Sequence, residues 1–260
     1  MDYGRRKCAA MHLKGAMGKK SLILMRTIRM GLVATAIAAA VGIGLAGRDL
    51  RAQKADLASV LQQMDASAAK FQDVAADISV DNYTAVVQDH EYQKGTTAFR
   101  RTSGGMEMVM HLKTQSGQPY ADLLYRNGQL EYYNPSQKQE TIIAAGSNKQ
   151  EYDSMLATGF GATGKELTAA WTVSYQGTEK VDGVETVKLD LVSKDPKVRE
   201  NYSHLTIWVD LSRDISMKQA MFQPSGDSRT ATYSNIKYNA HLKDNRFKLD
   251  IPKGTPVQRR

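Results

Sequence analysis

Apolar residues recur along this chain with two periods, and the change from one to the other falls at Phe71. Before it, Leu57, Val60, Leu61 and Met64 keep to one helical face, continued by Ala68 and Phe71, which predicts an amphipathic helix from Gln53 to Lys70. After it the pattern alternates. Val74, Ala76, Ile78 and Val80 interleave with Ala75, Asp77, Ser79 and Asp81, and a further run from Thr97 to Arg101 follows a break at Gly95. Met106, Met108, Met110 and Leu112 then alternate with Glu107, Val109, His111 and Lys113, a period-2 strand with an oily face.

Asn127-Gly128 separates the runs ADLLYR and QLEYY, a strong hairpin signal, because both turn positions need positive φ. Asn134-Pro135 ends that pair, and Gln139 to Ala144 reads as the next strand. Helical character returns at Lys149 to Ala157 and Lys165 to Trp171, with GFGATG between them. Further strands are predicted at Trp171 to Gln176, Thr178 to Val181, Glu185 to Val192, His204 to Asp210, Ile215 to Phe222, Arg229 to Lys237 and Phe247 to Ile251. Short connections favour an antiparallel meander of about ten or eleven strands with three helices. So long a sheet must curl or split, and a sheet curved around the helices accommodates both sets of elements. The chain is therefore expected to be mainly β, with one domain spanning residues 53–260.

Charge separates that domain from what precedes it. The first 52 residues hold ten basic and two acidic side chains, while the remaining 208 hold 25 of each. The uncharged run Met30 to Gly47 follows the basic stretch, and it is slightly shorter than the roughly 20 residues a spanning helix needs. Residues 1–52 are expected to be a secretory signal peptide, cleaved after Ala46 or Ala52, or an N-terminal anchor if uncleaved. Cys8, the only cysteine, lies inside this leader, so the exported domain has no disulfide or thiolate metal site. Its neutral charge balance removes the electrostatic case for nucleic acid.

Few residues suggest chemistry. Gly159 to Glu166 matches G-x-G-x-x-G and most of a P-loop, but a helical segment precedes it, and Glu166 replaces the hydroxyl that would hold magnesium. It reads as a flexible loop between helices, with glycines as helix C-caps. His12, His90, His111, His204 and His241 show no metal-ligand spacing, and no G-x-S-x-G elbow is present. No enzymatic activity, cofactor or metal is expected. What stands out is the strand Met106, Met108, Met110 and Leu112, since methionine suits either an irregular core or a surface that accepts ligands of variable shape. Arg100 and Arg101 have opposite parity, so one must face the inside of the sheet and find partners there; Arg100 is read as the solvated one.

Three segments, in this order, resemble one family: Gly95-Thr-Thr-Ala-Phe-Arg-Arg101, Asn127-Gly-Gln-Leu-Glu-Tyr-Tyr-Asn-Pro135 and Phe247-Lys-Leu-Asp-Ile-Pro-Lys-Gly254. With the leader and the amphipathic helix, they look like LolA, the periplasmic outer-membrane lipoprotein carriers, from about Asp56 to Val257. The resemblance implies an unclosed antiparallel β-barrel of about eleven strands, with helices forming a lid over an apolar cavity. It further implies a periplasmic monomer that carries lipoprotein acyl chains or another lipid between an inner-membrane releasing complex and an outer-membrane acceptor. Relatives with this fold also serve as lipid- or lipoprotein-sensing regulatory modules. Arg101 stands where the family places a lid clamp, and Met106, Met108, Met110 and Leu112 would line the cavity. The chain departs from the family at Thr102, where proline is usual, and at Met106 and Met108, which replace aromatic residues.

Overall fold

The computed structural model describes residues 56–146 and 149–260. The expected leader, Cys8 and the expected boundary at residue 52 lie outside them. The amphipathic stretch forms helix α1 (56–68), and the strands that follow are β1 (Asp73–Thr84), β2 (Asp89–Thr102), β3 (Gly105–Thr114), β4 (Pro119–Arg126), β5 (Gln129–Asn134) and β6 (Gln139–Ala144). Helices α2 (Lys149–Ala157) and α3 (Gly164–Ala170) lead into β7 (Trp171–Val181) and β8 (Val184–Ser193). After α4 (Pro196–Asn201) come β9 (His204–Asp210), β10 (Ile215–Phe222), β11 (Ser228–Tyr238), a short 3-10 turn and β12 (Val257–Arg259).

The twelve strands make one sheet in the order β12-β6-β5-β4-β3-β2-β1-β11-β10-β9-β8-β7. Every neighbouring pair is antiparallel except β12 with β6, and the two ends of the order do not meet. The fold is an unclosed, mainly β barrel with helices. Alternation along the strands sorts the apolar side chains onto two faces. The inner face carries the two larger clusters. One joins Val74, Ile78, Phe99, Met106, Met108, Leu112, Tyr125 and Tyr233 to Ala157 and Phe160; the other seats Val60 and Met64 of α1 and Leu167 of α3 on Leu189, Leu191, Ile207 and Val209. The methionine strand thus faces α2 and the loop after it, while α1 packs on β8 and β9.

The outer face of β1–β4 is covered by the C-terminal segment. Asp73 anchors it by accepting hydrogen bonds from the backbone N–H groups of Ala240, at 2.8 Å, and Leu242, at 3.1 Å. Phe247 is then buried against Ala75, Ala98, Val109 and Leu124. The alternation of Phe247, Leu249 and Ile251 reflects this burial, and the predicted strand does not form there; the last strand is β12, ten residues from Phe247. Two more expectations change. Trp171 to Val181 is a single strand whose register shifts between Tyr175 and Thr178, around Gly177. Helix α4 went unpredicted although Asp195 caps it, accepting from the Lys197 N–H at 2.8 Å, with Pro196 in its first turn.

Candidate functional site

The site is built where β2, β3 and the segment between α2 and α3 converge. Gly95 lets β2 cross close to β3, since a Cβ there would lie 1.8 Å from the His111 carbonyl oxygen. Further along β2, Arg100 and Arg101 point to opposite faces, as their parity requires. Arg100 is not solvated. Its guanidinium pairs with Glu107, at 2.6 Å, and Asp244, at 2.7 Å, and lies over the Phe247 ring at 4.2 Å, so it fastens the C-terminal segment to the outer face. An arginine beside an apolar ring and a carboxylate is held by its stacking as well as its charge, which parity alone could not reveal.

Arg101 reaches the inner face. It donates one hydrogen bond to the Gly161 carbonyl and pairs with Glu166 at 3.3 Å. Glu166 also joins Thr163 in a capping box at the start of α3, accepting from the Thr163 N–H at 2.8 Å while the Thr163 hydroxyl accepts from the Glu166 N–H at 3.0 Å. Burial alone would raise the Glu166 pKa, but the Thr163 N–H and the Arg101 guanidinium outweigh it and hold the carboxyl below its ordinary range. The apparent P-loop is therefore a helix start tied to Arg101 of β2.

The Gly-rich loop is anchored, in contrast to the flexible connection expected. Thr158 O accepts from the Gln219 side-chain amide at 2.7 Å, Gly159 O from the Ser216 N–H at 2.5 Å, and the Gly161 N–H donates to Asp214 O at 3.0 Å. Between the glycines sits Phe160, 2% exposed, stacked on Phe99 at 3.9 Å between centroids and edge-on to Tyr233 at 5.1 Å. Gly161 has φ +73, and a Cβ there would fall 2.4 Å from the Phe71 ring, so only glycine lets the loop press this close. Sequence reasoning passes over Phe160, although an aromatic flanked by glycines between two short helices is an available signal.

A cavity of about 1160 Å³ opens beside this loop. Met106, Met155, Ala162, Leu167, Trp171 and Val198 supply apolar lining, and Arg101, Glu166, Lys194 and Lys197 are among the charged residues that line it. Of the four β3 residues expected to line a cavity, Met106 is the one that lines this cavity. Met108 and Leu112 belong to the packed inner cluster and half-buried Met110 packs against it; there Phe160 covers Phe99, the register partner of Met108. Tyr125 closes the same region through its hydroxyl, which donates to Asp153 of α2 at 2.8 Å; burial and that carboxylate push the Tyr125 pKa upward. Asp153 also pairs with Lys149 at 2.5 Å. Among the described residues no cluster of three His, Cys, Asp or Glu side chains could hold a metal ion, and no helix is long and apolar enough to cross a membrane.

No protein-family model matches the chain. An uncharacterized protein of Methanocaldococcus jannaschii is 29% identical over 109 residues, which is 42% of this chain and 30% of that protein. The chain thus spans less than a third of that relative's length. Among solved structures, a LolA superfamily protein from Nitrosomonas europaea aligns over 74% of this chain and 97% of its own, with a TM-score of 0.37 and 15% identity. The MucA/MucB complex structure from Pseudomonas aeruginosa aligns over 75% of this chain and 61% of that one, with a TM-score of 0.42 and 13% identity. Likeness at this level says nothing about cargo. What the chain itself shows is an open antiparallel sheet with helices on its inner face.

Proposed function

We propose that this chain is an exported, periplasmic carrier that shields the acyl chains of lipoproteins, or of a related amphiphile, on the way to the outer membrane. The observations that support this reading are an apolar sheet face packed beneath short helices and, beside it, an open cavity of about 1160 Å³ lined by α2, α3, α4 and the start of β3. Sites that enclose small ligands measure about 300–1,000 Å³, so the space is of the right order for an acyl chain. A sixteen-carbon chain leaving a membrane needs about 12 kcal/mol of shielding at most, at about 0.8 kcal/mol per CH₂.

In this reading α2 and the loop that joins it to α3 are the lid, while α3 stays seated on α1 through Leu167. Arg101 is its clamp, because its guanidinium is bound to loop backbone and to the Glu166 that caps α3. Phe160 is the plug, occupying apolar space that a chain extending from the cavity towards Met108 would need. Uptake exchanges Phe160 for cargo, and release is favoured by the loop reclosing on the same hydrogen bonds. No reaction is catalysed, and the role requires an inner-membrane complex that loads the carrier and an outer-membrane acceptor.

Mass spectrometry of the exported protein purified from envelope fractions tests the reading. Lipoproteins or diacyl lipids should co-purify in near-stoichiometric amounts and be lost when Met106 is replaced by Glu. A stably bound protein partner with no lipid would instead support a regulatory module on the same fold.

A further inference from the structure

Beneath the 158–163 loop lies a group that neither clamp nor plug uses. Asp214, in the turn between β9 and β10, is fully buried, and neither carboxylate oxygen has a hydrogen-bond partner among the described residues. Ser216 Oγ, two residues on, is buried in the same condition, under Gly159. Buried polar groups are normally paired, so three orphaned oxygens under one loop call for an explanation. The loop itself is held from both sides of a single residue: Gly161 donates its N–H to the Asp214 carbonyl at 3.0 Å and accepts at its own carbonyl from Arg101.

The charged and titratable groups facing Asp214 come from every element around it: Arg101 on β2, Glu166 on α3, Asp65 on α1, Tyr238 on β11 and the neighbouring Arg213. Arg213 is engaged by Asp210 at 2.7 Å. Burial dominates and pushes the Asp214 carboxyl up to about 8; Arg101 opposes that rise, while Glu166 and Asp65 add to it. An unpaired carboxylate cannot be kept in such a place, whereas the neutral acid can.

We propose that Asp214 is a proton-exchanging latch: the loop closes over the neutral acid, and lifting it lets Asp214 release its proton to water and take over the Arg101 guanidinium that Gly161 gives up. The latch rests on the carrier reading, because it needs a lid that opens for cargo. One proton leaves per opening and returns on closure. Opening therefore becomes easier as pH rises from the ordinary carboxyl value near 3.8 towards about 8, and is insensitive above that. Arg101 acts as clamp in one state and counter-ion in the other.

The test uses the exported protein and N-phenyl-1-naphthylamine, an apolar fluorescent probe uncharged across the range. Its affinity should rise by about ten- to a hundredfold between pH 5 and pH 7, the limit for one proton being about tenfold per unit. Calorimetry at pH 6.5 in buffers of different ionisation enthalpy should record close to one proton released per probe bound. Asp214→Asn keeps the shape and tolerates the left-handed φ of +52, so it should fold, bind with a nearly flat pH profile and release no proton. Equal pH profiles and equal proton release for the two proteins would overturn the latch while leaving the carrier reading intact. No probe binding at any pH by either protein would overturn both.

Discussion

Replacing Phe160 by Ala separates a displaceable plug from ordinary core. The ring is 2% exposed, stacks on Phe99 and meets Tyr233 edge-on, so either role costs about 3–5 kcal/mol of folding stability on truncation. The two roles diverge on binding. If cargo enters by expelling the ring, each binding event forfeits its burial, about 2–3 kcal/mol, and its aromatic contacts, about 0.5–1.5 kcal/mol each. In Phe160→Ala that competition is gone. Taking about 3 kcal/mol as recovered, and about 1.4 kcal/mol per tenfold, probe affinity should rise by about a hundredfold. Fluorescence titration with N-phenyl-1-naphthylamine at fixed pH, beside urea unfolding to verify that both proteins are folded, reads the two quantities separately. A variant destabilised by several kcal/mol with unchanged or weaker affinity would refute the plug and return Phe160 to plain core.

The other substitutions probe neighbouring parts. Arg101→Leu removes the bond to Gly161 and the pair with Glu166 but leaves the apolar lining, so it should load lipoprotein normally and deliver it slowly in a purified carrier-to-acceptor assay; wild-type delivery would remove the clamp. Arg100→Leu strips one of two arginines from Glu107, whose side chain is only 8% exposed, and uncovers Phe247, so urea unfolding should show a loss of about 2–4 kcal/mol with transfer per folded molecule unchanged. Asp214 is neutral when folded and ionised when unfolded between about pH 4 and 8, so the unfolded chain binds fewer protons there and wild-type stability falls as pH rises through that window. Asp214→Asn should therefore match wild type near pH 4.5 and exceed it by about 2–4 kcal/mol near pH 7.5; a pH-independent difference would mean that Asp214 is already ionised in the folded protein.

Much of this architecture is legible in residue periods because the sheet is amphipathic strand by strand. Alternation at Met106 to Leu112 and the Asn127-Gly128 turn correspond to β3 and to the β4–β5 hairpin, and the helical spacing of Leu57 to Met64 corresponds to α1. Period does not say what lies across the sheet. The methionine stripe is inward-facing as expected, yet only Met106 reaches the cavity, because Phe160 arrives from a segment about 50 residues away to cover its neighbours. Arg100 looks solvated in the sequence for a related reason: Glu107 lies opposite it on β3, but Asp244 and Phe247, which cover it, come from the far end of the chain, which a local pattern cannot bring alongside β2. Glu166 carries a legible signal in the spacing Thr163-x-x-Glu166, obscured by the glycines' likeness to a phosphate loop. Asp214 carries none, since an aspartate in a turn is ordinary until its burial is seen.

A carrier must close against water and still open for cargo, so closure of the lid can be only slightly favoured. The inner face divides along these lines. Where α1 packs, Met64, Leu189, Leu191 and Ile207 are fully buried, forming a foundation that has no reason to open. Around the 158–163 loop, close aromatic packing and several hydrogen bonds favour closure, while Asp214 and Ser216 lie unpaired beneath it and oppose it. Each unpaired buried group costs about 1–3 kcal/mol, an amount comparable with the plug's contacts, and water recovers it as soon as the loop lifts. In the carrier reading, opposed terms of similar size on one loop would make its position responsive to cargo, whereas a fully satisfied loop would hold Phe160 in place against any chain of modest length.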